Sequence, residues 1–183
     1  MSERFLIEHC SPTLAGLKTA NLFTAVFQSG EELVLELGEL NRILSPFGLR
    51  VVPVGRKRGR VLLYLYRPEF LRRDMQDRRA DELLRRCGYC GENVEELVME
   101  MIRRVRAGDG FPHEIGLFLG YPPEDVQGFM EHPHSGCKLT GYWKVYGDAA
   151  QAEQVFAKYR RCIDCYRRNL EAGKTLQELI VRT

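Results

Sequence analysis

The amino-acid sequence predicts an α+β fold, with a small mixed or antiparallel sheet of about four strands covered by about six to seven helices. Two observations carry this prediction. Apolar residues recur at spacings of three and four in several segments, as in Val94, Leu97, Val98, Met101, Ile102 and Val105. Short β-rich runs bounded by turn residues lie between those segments. Leu49 to Val54 and Arg60 to Tyr66, around Gly55-Arg56-Lys57-Arg58-Gly59, form the clearest hairpin.

The elements follow in order. Ser11-Pro12 reads as a helix start, with Ser as N-cap and Pro at the first helical position. Leu14, Leu17, Leu22 and Val26 then line one face up to Gly30. Leu33, Leu37, Leu40 and Leu44 mark a second helix that ends before Gly48. After the hairpin, Pro68 opens an Arg-rich helix that fades near Cys87-Gly88. Residues 92–106 form a helix stopped by Gly108. Glu114 to Leu119 is short and apolar and reads as a strand, closed by Gly120-Tyr121-Pro122. Pro123-Glu124-Asp125 begins a short helix through Glu131, with acids at its positive end. Lys138 to Tyr146 reads as a further strand. Asp148 caps a long helix carrying Ala152, Val155, Phe156, Tyr159, Ile163, Tyr166 and Leu170, stopped by Gly173; Thr175 begins a last short helix.

The chain has 183 residues, 44% hydrophobic and 28% charged, a globular balance that favours a single domain over residues 1–183. No apolar run approaches the ~20 residues a membrane helix needs. Met1-Ser2-Glu3-Arg4-Phe5 lacks the basic and apolar stretches of a secretory signal. A cytoplasmic protein is therefore expected, with its six cysteines serving as thiols, ligands or reactive groups rather than disulfides. The net charge of +2 is uneven. Residues 50–86 hold twelve basic and five acidic residues, a local +7 that leaves −5 for the remainder. Such a region is a solvated face or a docking surface for an acidic protein or for nucleic acid.

Several residue sets carry possible chemistry. Cys10 lies just before the expected helix start, where the dipole favours a thiolate, and His113 is fixed by Pro112 at the mouth of the Glu114 to Leu119 run. Cys10 as nucleophile and His113 as base would give thiol-dependent acyl or amide chemistry. Glu114 adjoins the pair but points to the opposite strand face, and Asp109 and Asp148 are the other possible orienters. Tyr121, Tyr142 and Lys144 are the neighbouring candidates for lining a pocket or holding a cofactor, whose identity the residues do not give. The bland counterpart is a small buried thiol packing behind a helix.

Cys87, Cys90, Cys162 and Cys165 form a formal four-thiolate set for zinc or an iron–sulfur cluster, although two of them fall inside an expected helix. His132, His134 and Cys137 are a second metal option, and a polar turn is its counterpart. Cys87-Gly88-Tyr89-Cys90 has the spacing of a redox dithiol, but it follows a helix, where the dipole opposes thiolate formation. Arg56, Lys57, Arg58 and Arg60 with Tyr64 and Tyr66 suggest nucleic acid, yet the tyrosines share a face with Leu62, which favours packing. No phosphate-cradling glycine pattern is present; Gly116, Gly120, Gly141 and Gly147 instead suggest close approach of another backbone or a ligand.

Phe111-Pro112-His113-Glu114-Ile115-Gly116-Leu117-Phe118-Leu119-Gly120-Tyr121-Pro122 and Gly141-Tyr142-Trp143-Lys144-Val145-Tyr146-Gly147 resemble a bacterial family of unknown function found mainly in anaerobes. The resemblance extends to Cys10-Ser11-Pro12-Thr13-Leu14-Ala15-Gly16-Leu17-Lys18 and Tyr64-Leu65-Tyr66-Arg67-Pro68, and so covers nearly the whole chain. It implies redox or iron physiology, through genes for flavodoxin-like or iron-handling proteins near its members, and it assigns no reaction. Cys87, Cys90 and Cys165 fall outside the family pattern. Three classes stay open: a thiol enzyme, a module binding a cofactor, metal or redox partner (a flavodoxin-like or other acidic protein), and an adaptor docking through its basic hairpin.

Overall fold

The structure, a computed structural model, describes residues 3–108 and 111–182. Its helices are α1 (Glu3–Leu14), α2 (Gly30–Leu44), α3 (Pro68–Met75), α4 (Arg78–Arg86), α5 (Val94–Ala107), α6 (Ile115–Phe118), α7 (Pro123–Glu131), α8 (Ala149–Glu171) and α9 (Leu176–Leu179). Its strands are β1 (Ala20–Val26), β2 (Arg50–Lys57), β3 (Arg60–Tyr66), β4 (Leu139–Thr140) and β5 (Lys144–Val145). The class is α+β. Among the described residues no helix is long and apolar enough to cross a membrane. The chain falls into two compact units, one taking the residues up to Glu69 and from Tyr159 onward, the other Phe70–Lys158.

In the first unit β3 is the central strand of an antiparallel sheet ordered β1-β3-β2. Pro53 lacks an N–H, and the β2–β3 register shifts between Pro53 and Gly55. Leu63, Leu65, Phe23 and Val51 pack with Leu6, Ile7 and Leu14 of α1, Leu37, Leu40 and Leu44 of α2, and Leu176 and Ile180. Each fully buried Leu contributes on the order of 2 kcal/mol. Tyr64 and Tyr66 are buried and stacked, with centroids 4.8 Å apart, as packing rather than base stacking requires.

Five expectations are corrected. First, Ser11-Pro12 does not start a helix but ends one: α1 begins at Glu3, Ser11 Oγ donates back to the Ile7 carbonyl, and Gly16 at φ +70° stops the chain. Second, Leu22 and Val26 lie on β1, where Thr, Phe and Val outweigh the helical spacing. Third, the Arg-rich helix is two helices, because the Asp77 side chain accepts from the Arg79 N–H and starts α4 anew. Fourth, Glu114 to Leu119 is not a strand but surrounds the helical turn α6. Glu114 through Leu119 are buried on every side, so the run offers no period by which to tell turn from strand. Fifth, Lys138 to Tyr146 doubles back as the β4–β5 hairpin, giving sheets of three and two strands rather than one of about four.

Candidate binding site

The second unit is organised around one buried carboxylate. Pro123 at the first position of α7 places Asp125 in its first turn, aimed inward and 3% exposed. Asp125 Oδ2 accepts from Trp143 Nε1 at 2.7 Å, and Oδ1 accepts from the backbone N–H groups of Tyr146 and Gly147, each at 2.7 Å. Acceptor-only oxygens meeting three donors fix the β5 segment against α7. Backbone closeness is required there. A Cβ on Gly128 would lie 2.4 Å from the Tyr146 ring, and one on Gly141 would lie 2.2 Å from Phe156. Gly141, like Gly116 and Gly147, is thus closely approached by side chains rather than by the other backbone or ligand expected.

The Trp143 ring is held on three sides. It stacks on Tyr121 at 4.9 Å, meets Phe156 edge-on at 4.5 Å, and is tied by its N–H to Asp125. Burial pushes the Tyr121 phenol up to about 12, and its hydroxyl donates to the Tyr142 carbonyl at 3.3 Å. Tyr142 tilts against Phe156, and Lys144 Nζ donates to the Pro133 carbonyl at 2.7 Å. Of the three candidates for holding a cofactor, Tyr121 and Lys144 thus have their polar atoms engaged internally.

A cleft of about 270 Å³ opens beside this assembly, lined in part by Trp143, Pro122, Arg79, Glu124, Asp148 and Gln151. Arg79 Nη1 lies 3.3 Å from Glu124 Oε2, and Asp148 caps α8 by accepting from the Gln151 N–H at 3.0 Å. The rim carries both signs of charge around an aromatic wall. A cavity of about 280 Å³ in the first unit, lined by Arg4, Glu8, Arg167 and Glu171 around Ile7 and Leu170, has no aromatic group and none of the four motifs' polar anchors.

Glu114 belongs to a separate cluster. It is buried and accepts from the Tyr89 hydroxyl at 3.2 Å. Arg104 lies over the Tyr89 ring at 4.1 Å, binds Glu100 at 2.8 Å and donates to the Cys87 carbonyl at 2.8 Å. Burial, and then the Glu114 charge, raise the Tyr89 phenol, and the same two causes raise the Cys87 thiol. His113 is exposed and set edge-on to Phe129.

Cys10 lies in the first unit, and His113 in the second. Cys10 does not precede a helix start. It sits inside α1 towards its C-terminal end, where the dipole disfavours a thiolate. It is fully buried, and desolvation holds its thiol well above the usual range, with the nearby Lys18 charge pulling the other way. Burial in turn lowers the Lys18 ammonium to about 8. Asp109 lies outside the described residues. Cys162 is buried on α8 with its thiol pushed up to about 11, while Cys90 and Cys165 are exposed. Among the described residues no group of three or more His, Cys, Asp or Glu side chains is placed to hold a metal ion. Cys87 and Cys90 lie in the second unit, and Cys162 and Cys165 in the first.

The same logic governs the other two motifs. Arg67, 1% exposed, donates to the carbonyls of Thr13 (2.8 Å), Leu14 (2.8 Å), Phe47 (3.0 Å) and Val181 (2.8 Å). Two of these are the orphan carbonyls that end α1. Arg67 thus joins two of the motifs, while the other two meet where Tyr121 stacks on Trp143, beside Asp125. A family model described as "Protein of unknown function (DUF3793)" matches residues 6–180. The chain belongs to that family. No curated protein and no solved structure matches it. In this DUF3793 chain Arg67, inside a motif, and Asp125, just beyond one, are structural anchors. Sequence reasoning missed both Asp125 and Arg67. The sequence marks Asp125 as a helix-dipole acid, and Arg67 as a charge in a basic region and a member of the Tyr64 to Pro68 motif. Arg67 carries a signal, a charge set inside an otherwise apolar motif next to a proline; Asp125 carries none of that kind.

Proposed function

We propose that the protein is a binding module for a small flat ring bearing hydrogen-bond donors, taken up in the cleft beside Trp143. The observation supporting this reading is the Asp125–Trp143 hydrogen bond at 2.7 Å, which orients an indole at the wall of a cleft. An indole held by a buried carboxylate and backed by Tyr121 is a preorganised stacking surface, so little ordering cost falls on the ligand. Glu124 and Asp148 on the rim accept hydrogen bonds and favour partial positive charge over the ring face. The cleft is small by the standard of ligand sites, which fits one ring system rather than a dinucleotide. A thiol mechanism has less support, because the Cys10 sulfur is enclosed and held protonated.

Trp143 is the sole tryptophan, so its fluorescence reports on this wall alone. Titration with nicotinamide, adenine and cytosine is expected to quench or shift that emission saturably for at least one of the three. Loss of the response in Trp143→Phe, followed by calorimetry, would support the site. No saturable response to any of the three up to roughly 10 mM, a weak-binding limit, would overturn the reading.

A further inference from the structure

We propose that the outer face of α2 is a self-association surface, pairing antiparallel with the same helix of a second copy. The inner face of α2 buries Leu37, Leu40 and Leu44. Its outer stripe is Glu31, Val34, Leu35, Gly38, Glu39 and Arg42, all exposed and spaced so as to share one face. Val34 is 71% and Leu35 69% exposed. Adjacent large apolar side chains this open on a helix mark a contact surface more often than scattered ones do.

Gly38 is the second, independent observation. It sits inside the helix, where glycine is less favourable than alanine. Nothing lies within 4 Å of the place its Cβ would occupy, so the fold of this chain gives no reason for it. A glycine that its own fold does not require permits close approach from outside.

The order of residues along the stripe identifies the occupant. Turned end for end, the stripe is complementary to itself. Glu31 of one copy meets Arg42 of the other at both ends, and Leu35 of each covers the bare backbone at Gly38 of the other. Such a contact is isologous and closes as a two-fold dimer. With α2 15 residues long, about 22 Å, the surface is small and the association weak, with a Kd of roughly 10–500 μM.

The test is sedimentation of the full chain across that range at low salt, with circular dichroism and melting curves to establish folding. The expected result is a monomer–dimer equilibrium. Gly38→Leu improves helix propensity and fits the open space of the monomer, yet it should weaken the dimer at least tenfold. Glu31→Arg or Arg42→Glu alone should weaken it, and the two together should restore it. A monomer throughout would overturn the proposal. So would a dimer indifferent to Gly38→Leu, a double charge swap no better than either single one, or association that depends on Arg56 and Arg58 instead of Arg42.

Discussion

Asp125 and Trp143 are joined by a 2.7 Å hydrogen bond from the indole N–H to the buried carboxylate, and this bond couples α7 to the β4–β5 hairpin. Its partners make the consequence measurable. Asp125→Asn keeps one acceptor oxygen but turns an NH2 group towards a donor. The substitution should lower unfolding free energy by about 2–4 kcal/mol, since buried donors lose a charged acceptor. Chemical denaturation checks the loss, and the emission of the sole tryptophan should move to the red as the ring loosens.

Arg67 donates to four backbone carbonyls, those of Thr13, Leu14, Phe47 and Val181. A lysine has the charge but not the planar fork that reaches several acceptors at once. Arg67→Lys should therefore cost about 3 kcal/mol, measured by urea unfolding. Arg78→Lys, at an exposed pair with Glu82, should leave the midpoint unchanged.

Glycine positions should separate by sign. Gly141→Ala drives a methyl group into Phe156 and Gly128→Ala drives one into Tyr146; each should lower stability by about 1–3 kcal/mol. Gly38→Ala meets nothing and should raise it by up to about 1 kcal/mol. Thermal melts at low protein concentration decide both.

The thiols should divide by burial. Native protein at pH 8 should expose Cys90 and Cys165 to rapid modification by a disulfide reagent, while Cys10 and Cys162 should react only after denaturation. Rapid labelling of Cys10 in the native state, located by peptide mapping, would contradict the enclosed site described above.

The Lys18–Cys10 neighbourhood predicts a pH profile. The Lys18 ammonium falls from 10.5 to about 8 on folding, so above pH 8 the unfolded chain holds a proton that the fold has released. Stability should then rise with pH from about 8. The Cys10 thiol is raised from 9.0, so the unfolded thiol ionises first and stability falls as pH climbs past that value. The sum is a rise between pH 8 and 9 that flattens above 9. Lys18→Met should remove the rise, as unfolding midpoints at half-unit intervals would show.

Much of the fold is legible where periodicity and caps agree. The α2 leucines, the α5 pattern, the hairpin of β2 and β3, and the helix start at Thr175 all stand out in the bare sequence. Legibility fails where burial is uniform or contacts are distant. The apolar run at α6 has no polar face, and Ser11-Pro12 has the residues of a helix start while closing one. The anchors are harder still. Arg67 gathers carbonyls from residues 13, 14, 47 and 181, a convergence no local window contains. The motif boundaries were visible, but the pairing of the motifs was a property of the folded chain.

The first unit is discontinuous in sequence, and that bears on how the polypeptide matures during translation. Residues 70–158 emerge from the ribosome as one uninterrupted stretch, whereas the sheet emerges earlier and must wait for Leu176, Leu179 and Ile180. Until Val181 arrives, the Arg67 guanidinium lacks one of its acceptors. The sheet, though made first, therefore completes its core only after the insert has been made.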